Sequence, residues 1–341
     1  MIGHSQIMIL SKTRADEDIK ISKLYFVGTK KRLATVLKSN PSVLRRLAKT
    51  GDANYQHIFV TSRGKKRAVQ NPNPELKEIQ VRINQLLQRI NYPEYMMAGL
   101  KGLSYEKNAS AHLGLESTRV CTVDIEKFYP NCQRGAVIRS LEKWFNQKHD
   151  VAVQLADLVC LNGHLPTGGP ASLLFSFWSN RDVFDEIKLA ADAHGLKMTV
   201  YVDDMTFSGE NAGLKFLHDC VLPVLKRAGL RGHKIKSYHK SCPQEITGII
   251  LNKGKLCLPY RRFKDIDKNI LALNAARKPV ARLKLINSLV SRLYSVSAFF
   301  PKCKTKAKAM GKKQKALLSK FPYLKLRHRF GKQAASLKTG R

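Results

Sequence analysis

Two adjacent acidic residues, Asp203 and Asp204, are the side chains of this sequence with the clearest capacity for chemistry. They lie in a run that begins at Met198 and reads Met-Thr-Val-Tyr-Val-Asp-Asp-Met-Thr-Phe. The β-branched and aromatic residues around the pair predict two short strands joined by a tight turn, with both carboxylates at its tip. Neighbouring carboxylates repel each other, and the chain holds 61 Lys+Arg against 25 Asp+Glu, so the pair indicates a cation site. Mg²⁺ is the natural candidate, and a solvated turn is the alternative.

A third carboxylate, Asp124, strengthens the interpretation as a metal site. It ends a short apolar run that begins at Cys121 and reads Cys-Thr-Val-Asp-Ile-Glu-Lys-Phe-Tyr-Pro. Asp124 precedes the acidic pair by about eighty residues, and the carboxylates can meet if their strands are neighbours in one sheet. Three carboxylates around two metal ions, roughly 3.5 to 4 Å apart, form the clamp used for in-line displacement at phosphorus.

These motifs carry a family resemblance. Tyr-Val-Asp-Asp at 201–204, together with Asp-Ile-x-x-Phe-Tyr-Pro at 124–130, resembles the palm of a reverse transcriptase. Asn-Ala-x-x-His at 108–112 is similar to a motif of retron reverse transcriptases, and Ile-Thr-Gly at 246–248 resembles their Val-Thr-Gly triplet. By resemblance over about residues 55 to 300, the chain is identified as a retron-type reverse transcriptase.

The resemblance implies an α+β right-hand polymerase fold, with fingers, a palm of antiparallel strands backed by helices, and a helical thumb. An N-terminal helical region is expected at 1–53, and fingers with the retron-specific insertion at 54–115. The palm is expected at 116–252, including fingers helices at 131–195. A basic helical thumb and C-terminal tail follow at 253–341, where no acidic residue occurs after Asp267.

The catalytic set implied by the resemblance is small. The carboxylates of Asp124, Asp203 and Asp204, with the backbone carbonyl of Ile125, would hold two Mg²⁺ ions. Lys236 stands where the family often has a lysine near the departing pyrophosphate, and its charge could stabilise that leaving group. In so basic a chain, a solvated surface charge is the alternative for a single lysine.

Two further segments are implied to bind the incoming nucleotide. A basic hairpin tip at 63–67 resembles the part of the fingers that holds the triphosphate, with Arg67 best supported and Lys65 or Lys66 next. Tyr129 would lie under the sugar, where its ring would clash with a 2′-hydroxyl and favour deoxynucleotides. A buried structural aromatic is the alternative for Tyr129.

Leu-Pro-Thr-Gly-Gly-Pro-Ala-Ser at 165–172 resembles the Leu-Pro-Gln-Gly-x-x-x-Ser-Pro turn of the family. Thr167, Gly168 and Ser172 are therefore expected near the nucleotide, since glycine lets the backbone approach a base pair closely. Thr167 replaces the usual Gln and Leu173 the usual Pro, which indicates a divergent branch.

Residues for binding the cognate RNA are also implied by the resemblance. They are Asn108 and His112 of the insertion, the triplet Ile246, Thr247 and Gly248, and the thumb residues Arg282, Lys284 and Arg292. The alternatives are a helix cap at Asn108, a structural histidine, and a buried strand at 245–252 interrupted by a bulge or a close backbone approach at its glycine. The thumb helix expected at 278–297 would contact the phosphates of a duplex backbone through its basic side chains, without sequence specificity.

Composition favours a nucleic-acid partner independently of the motifs. The net charge of +36 gives a surface that attracts polyanions. An anionic membrane surface is the runner-up, but no apolar run approaches the roughly 18 residues needed to span a bilayer. The start of the chain lacks a cleavable-signal pattern, so a bacterial cytoplasmic location is expected. The seven cysteines form no Cys-x-x-Cys pair and indicate neither a zinc knuckle nor a disulfide framework.

The partners implied by the resemblance are a cognate structured noncoding RNA, dNTPs, the msDNA product and a separate effector protein acting in antiphage defence. The RNA would serve as template and, through a 2′-hydroxyl of an internal guanosine, as primer. Two other functions stay open at this point. One is a reverse transcriptase of the intron-encoded or abortive-infection type, and the other is a non-catalytic RNA-binding protein that keeps the fold.

Overall fold

The computed structural model describes residues 19–62, 65–114 and 119–324, except for the side chains at 61–66. The chain divides into two units, Met1–Thr247 and Gly248–Arg341. The division of the chain into four regions remains a prediction.

The first unit begins with helices and a hairpin. Helices α1 (Lys30–Val36) and α2 (Pro41–Thr50) precede the antiparallel strands β1 (Tyr55–Ser62) and β2 (Lys65–Pro72), and α3 (Pro74–Leu87) follows. Asn73 starts α3 because its side-chain oxygen accepts a hydrogen bond from the Leu76 amide at 2.9 Å. Pro74 occupies the first helical turn, where a missing N–H costs nothing. This capping fixes where the hairpin ends.

A four-stranded antiparallel sheet is the centre of the first unit. Its strands are β3 (Arg119–Ile125), β4 (Lys197–Tyr201), β5 (Asp204–Gly209) and β6 (Gly232–Tyr238), in the order β4-β5-β3-β6. The two strands expected around the acidic pair are thus confirmed as β4 and β5. The other elements between β2 and β5 are helices: α4 (Tyr105–Ser110), α5 (Phe128–Asn131), α6 (Arg134–Phe145), α7 (His149–Val159), α8 (Ser172–Ser179) and α9 (Arg181–Ala193). This mixture of helices and antiparallel strands confirms the α+β class.

The core of the first unit joins the sheet to these helices. One hydrophobic cluster contains fully buried side chains from both: Val123 of β3, Met205 and Phe207 of β5, and Phe184 of α9. Burying an aromatic or aliphatic side chain of this size contributes about 1.5 to 3 kcal/mol. The strands that carry the acidic residues therefore rest on a packed support.

The helix after β5 is interrupted. The sequence predicts one helix over 211–228, whereas the structure has α10 (Leu214–Phe216), a π-helical turn (Leu217–Val221) and α11 (Leu222–Arg227). Pro223 lies in the first turn of α11 and has no N–H to donate to the preceding turn. A π-helical turn is the usual way for a helix to absorb such a defect.

The buried strand expected over 245–252 is interrupted next to its glycine, where the sequence indicates a bulge or a close backbone approach. The structure has two short strands, β7 (Gln244–Ile246) and β8 (Ile249–Asn252). Thr247 and Gly248 between them have φ angles of 47° and 80°, and these two consecutive left-handed residues separate the strands.

The second unit is mainly helical. Strands β8 and β9 (Lys255–Cys257) pair antiparallel, and α12 (Tyr260–Ala275), α13 (Pro279–Val296) and α14 (Pro301–Lys320) follow. The helix expected at 278–297 is confirmed as α13, whose buried face includes Leu283, Ile286, Leu289 and Leu293. Within the described ranges, no helix is long and apolar enough to cross a bilayer.

Candidate active site

The sheet brings the three predicted carboxylates together. Asp124, near the end of β3, lies directly opposite Asp204, the first residue of the antiparallel strand β5. Directly opposed residues on adjacent strands have Cβ atoms about 4.5 to 5.5 Å apart. The backbone N–H of Ile125 donates to the carbonyl of Asp203 at 2.9 Å, which holds the turn residue against the end of β3.

The turn between β4 and β5 has an unusual backbone. Val202 has a φ angle of 63°, a left-handed conformation that β-branched residues rarely adopt. Such a residue costs on the order of 1 to 3 kcal/mol and persists only where its surroundings enforce it. Here the pairing of Tyr201 with Asp204 closes the turn and leaves Val202 and Asp203 at its tip. The strain thus accompanies the placement of Asp203 beside the other two carboxylates.

Burial and mutual repulsion change the acidity of the cluster. Burial, followed by the charges of Asp124 and Asp204, raises the pKa of Asp203 well above its usual range. Burial and Asp124 likewise raise the pKa of Asp204 to about 6, although Lys234, Lys236 and His233 act in the opposite direction. Burial and the neighbouring negative charges therefore disfavour the ionised forms of both side chains, and a bound cation would favour them. The cluster is therefore suited to receive a cation.

The donor set fits a hard divalent cation by its chemistry. All three side chains offer carboxylate oxygens, which Mg²⁺ prefers. Within the described residues, no group of three or more His, Cys, Asp or Glu side chains is already arranged to hold a metal ion. At Asp124, the Lys234 ammonium forms an ion pair with Oδ2, and the His233 Nε2 lies 3.5 Å from the same oxygen. The backbone carbonyl of Ile125 remains a predicted ligand.

Lys234 and His233 are functional candidates that the sequence did not reveal. The pairing of β6 with β3 shifts register between Thr122 and Asp124, and Lys234 in the shifted stretch has a φ angle of 50°. A β-bulge of this kind re-aims a side chain. It brings the Lys234 ammonium to Asp124, and the His233 Nδ1 lies 3.1 Å from the Asp124 carbonyl oxygen. Register shifts leave no mark in a strand pattern, so this contact could not be read from spacing.

The predicted lysine, Lys236, lies in the same strand as Lys234, but its ammonium points to a different acidic residue. It pairs with Thr122 across the sheet, and its ammonium is 4.0 Å from a carboxylate oxygen of Glu245. Its charge still lowers the pKa of Asp204, after the larger effect of Lys234. A role at the leaving pyrophosphate stays a prediction for Lys236.

Tyr129 lies close to the carboxylate cluster. Burial and then the charge of Asp203 raise the pKa of its phenol, so the side chain is neutral and half-buried beside the acidic turn. Its ring centroid is 6.0 Å from that of the buried Phe128, which restricts where the ring can move. The position is compatible with the predicted contact to a sugar.

The turn at 165–172 packs against the β1–β2 hairpin. The Thr167 amide donates to Oε1 of Gln70 at 3.0 Å. A Cβ added to Gly168 would lie 2.3 Å from the Gln70 carbonyl oxygen, so only glycine fits there. Ser172 is 2% exposed, and its hydroxyl has no hydrogen-bond partner in the described part of the chain. The side chain of Ser172 thus faces the interior, and any effect on a nucleotide would pass through the turn.

The hairpin residues are only partly described. Arg67 in β2 is exposed and lies opposite Val60 of β1. Lys65 begins β2, but its side chain lies outside the described residues, as do Arg63 and Gly64. Triphosphate binding stays a prediction at Arg67 and Lys65.

Relatives of the chain are retron enzymes. The Se72 retron reverse transcriptase of Salmonella heidelberg is 32% identical over 172 residues, covering 48% of this chain and 44% of that enzyme. The Ec86 retron reverse transcriptase of Escherichia coli is 23% identical over 238 residues, covering 67% of this chain and 72% of that enzyme. The chain is a relative of retron reverse transcriptases. Its match spans less than half the length of the Se72 enzyme, and no protein-family model matches the chain.

The similarities to solved structures are weaker. A telomerase from Candida albicans, in complex with a fragment of telomeric RNA, has 12% identity and a TM-score of 0.43 and covers 73% of this chain and 56% of its own. An apo telomerase from Candida tropicalis has 11% identity and a TM-score of 0.48 and covers 75% and 60%. TM-scores below 0.5 are too low to transfer any property of these telomerases to this chain.

The segments that resemble retron motifs are largely buried. Asn108, His112 and Ile246 are each fully buried, and Thr247 is half-buried. In this structure the first three side chains cannot touch an RNA directly, because they are covered by protein. An influence on RNA binding at these positions would be indirect, and it remains a prediction.

The basic side chains predicted for the thumb differ in their availability. Arg292 forms an ion pair with Asp265 at 2.8 Å, and Arg282 donates to the Ala276 carbonyl at 2.9 Å. Lys284 is exposed. Phosphate binding remains predicted for all three, and the two arginines would have to share or exchange their present partners.

Proposed function

We propose that this protein is an RNA-directed DNA polymerase that copies a cognate structured RNA into single-stranded DNA. The pairing of Asp124 with Asp204, beside the turn residue Asp203, is the observation that carries the proposal. Three carboxylate side chains at neighbouring strand ends of one sheet suit the two-metal phosphoryl transfer to a primer hydroxyl. The relationship to retron reverse transcriptases supports the same reaction.

The chain's own residues would position the reactants. Asp124, Asp203 and Asp204 would hold two Mg²⁺ ions, which when bound lower the pKa of the primer hydroxyl and stabilise the pyrophosphate. Tyr129 would exclude a 2′-hydroxyl at the nucleotide sugar. The turn at Gly168, fixed to Gln70, would support the nucleotide from the side of the β1–β2 hairpin.

Charge supports RNA as the template. The net charge of +36 favours binding to a polyanion, and α14 carries eight lysines and no acidic residue. Such a helix gains affinity from phosphates without reading bases. We extend the proposal to a retron system, with an RNA that also supplies the priming 2′-hydroxyl, an msDNA product, and a separate effector acting in antiphage defence.

Nucleic acid that copurifies with the protein provides the test. The protein is expressed together with the noncoding gene that neighbours its own, and the bound nucleic acid is sequenced with and without RNase treatment. One defined RNA joined to a complementary DNA strand is the expected result. Bound RNA of random sequence, with no DNA made from it, contradicts the proposal. Asp204→Asn serves as the matched control, because it should retain the RNA and lack the DNA.

A further inference from the structure

Asn108 and His112 lie on one side of α4 and the turn that follows it. Their positions are four apart in the sequence, a spacing that places two side chains on the same helix face. Both residues are 0% exposed. Neither contributes to the carboxylate cluster, so their burial calls for a separate explanation.

His112 fastens this segment to the catalytic sheet. Its Nδ1 lies 2.6 Å from Oγ of Ser208 in β5, and its Nε2 lies 2.9 Å from Oγ1 of Thr199 in β4. Burial lowers the pKa of His112 to about 3, so the ring is neutral, with one donor and one acceptor nitrogen. Two hydroxyls satisfy that pair of roles. The residue therefore ties α4 to both strands of the hairpin that bears Asp203.

Asn108 fastens the other end of the segment to Thr247. The Asn108 side-chain amide donates to Oγ1 of Thr247 at 3.3 Å, and the Thr247 hydroxyl donates to the Tyr105 carbonyl at 3.2 Å. The single hydroxyl of Thr247 thus accepts from one residue of α4 and donates to another.

The backbone of Thr247 explains why these bonds are needed. Its φ angle is 47°, a left-handed conformation in which a β-branched residue is strained and Gly or Asn is favoured. A strained residue persists only where the surrounding structure enforces it. The two bonds to α4 supply that enforcement, and neither Gly nor Val could make them.

We propose that Asn108 is a positioning residue that holds Thr247 in its left-handed conformation, while His112 fixes the same helix to the catalytic hairpin. The motif is thus a buried bracket between β4, β5 and Thr247, which follows β7. It would set the backbone conformation at Thr247, and it would influence RNA without contacting it. The consequence for RNA rests on the proposed function, whereas the consequence for stability does not.

A double-mutant cycle between Asn108 and Thr247 tests the bracket. In the wild-type background, Asn108→Ala is expected to lower Tm by about 3 °C or more, because a buried bond is lost at a strained residue. In the Thr247→Gly background the same change is expected to lower Tm by less than a third of that, or to raise it, because the amide has already lost its partner. Ser110→Ala is the matched control on the same helix, since its hydroxyl donates to the Lys107 carbonyl within that helix.

Substitutions at Thr247 keep the test decisive if Asn108→Ala fails to fold. Thr247→Ser retains the hydroxyl and is expected to match the wild-type Tm within about 1 °C, whereas Thr247→Val removes the hydroxyl, keeps the strain and lowers Tm. Equal Tm values for the serine and valine variants would overturn the proposal.

RNA binding distinguishes the bracket from a direct contact. Titration of the copurifying RNA is expected to show that Asn108→Ala weakens binding severalfold in the wild-type background and leaves it unchanged in the Thr247→Gly background. An equal loss in both backgrounds would indicate that Asn108 contacts RNA itself and would overturn the bracket. If no RNA is ever bound or copied, the proposed function fails, while the Tm cycle still decides whether the bracket exists.

Discussion

The ammonium group of Lys234 forms an ion pair with Oδ2 of Asp124, an oxygen that a catalytic cation would also need. Lys234 reaches it from a bulge in β6, and the carboxylates of Asp203 and Asp204 lie at the adjacent strand ends. An internal cation and a bound metal ion would therefore compete for one carboxylate. The metal affinity of the site should therefore depend on the charge of Lys234.

Removing the Lys234 charge should tighten metal binding. In Lys234→Gln, Asp124 loses its internal partner, so Mg²⁺ or Mn²⁺ meets less competition. The Lys234 side chain is 65% exposed, and solvent screens such a pair, so the expected gain in affinity is modest, roughly two- to fivefold. Calorimetric titration of the nucleic-acid-free protein measures it. Lys240→Gln, an exposed change in the same unit, is the control, and weaker metal binding in Lys234→Gln would refute the competition.

Neutralising one carboxylate should stabilise the metal-free protein. Asp203→Asn removes a charge that burial and two neighbouring carboxylates disfavour. We expect a higher Tm than wild type at pH 8 in EDTA, together with loss of the stabilisation that Mg²⁺ gives to wild type. Differential scanning calorimetry with and without Mg²⁺ provides both values. A lower Tm in EDTA would mean that the carboxylates are not repelling each other.

The stability of the metal-free protein should fall as pH rises through the acidic range. The pKa of Asp203 is raised, and that of Asp204 is raised to about 6, so between about pH 4 and pH 6 to 7 the folded state binds more protons than the unfolded state. These two groups therefore lower the free energy of unfolding with increasing pH. Mg²⁺ should offset the loss, so its effect on Tm should be larger at pH 8 than at pH 5. An equal effect at both pH values contradicts this assignment.

Adding a side chain at Gly168 should weaken binding of the incoming nucleotide. The Cβ of Gly168→Ala would lie 2.3 Å from the Gln70 carbonyl oxygen, so the turn at 165–172 must move away from β2. Overpacking of this kind costs about 1 to 3 kcal/mol. Steady-state incorporation assays should show a raised KM for dNTP. Gly213→Ala is the control because its added Cβ meets nothing within 4 Å, and equal KM values in the two variants would contradict the account.

The carboxylate site could be predicted from sequence because strands alternate and end at recognisable turns. The residues around Asp203 and Asp204 predict a hairpin, and the apolar run before Asp124 predicts the strand that pairs with it. Strand pattern does not encode which residue of β6 faces Asp124, because the register shift at Lys234 depends on tertiary packing. The sequence indicates an interruption at Gly248, but it does not show the left-handed Thr247 or its two hydrogen bonds with α4, which depend on tertiary packing.

RNA-templated incorporation of deoxynucleotides tests the central claim most directly. Purified wild-type protein, supplied with its copurifying RNA, dNTPs and Mg²⁺, should extend a DNA strand, and EDTA should stop the reaction. Asp124→Asn, Asp203→Asn and Asp204→Asn should each reduce the rate by at least about a thousandfold while remaining folded and RNA-bound. Extension at the wild-type rate by any of these three variants, or no extension by wild type, would contradict the assignment of the three carboxylates as the catalytic site.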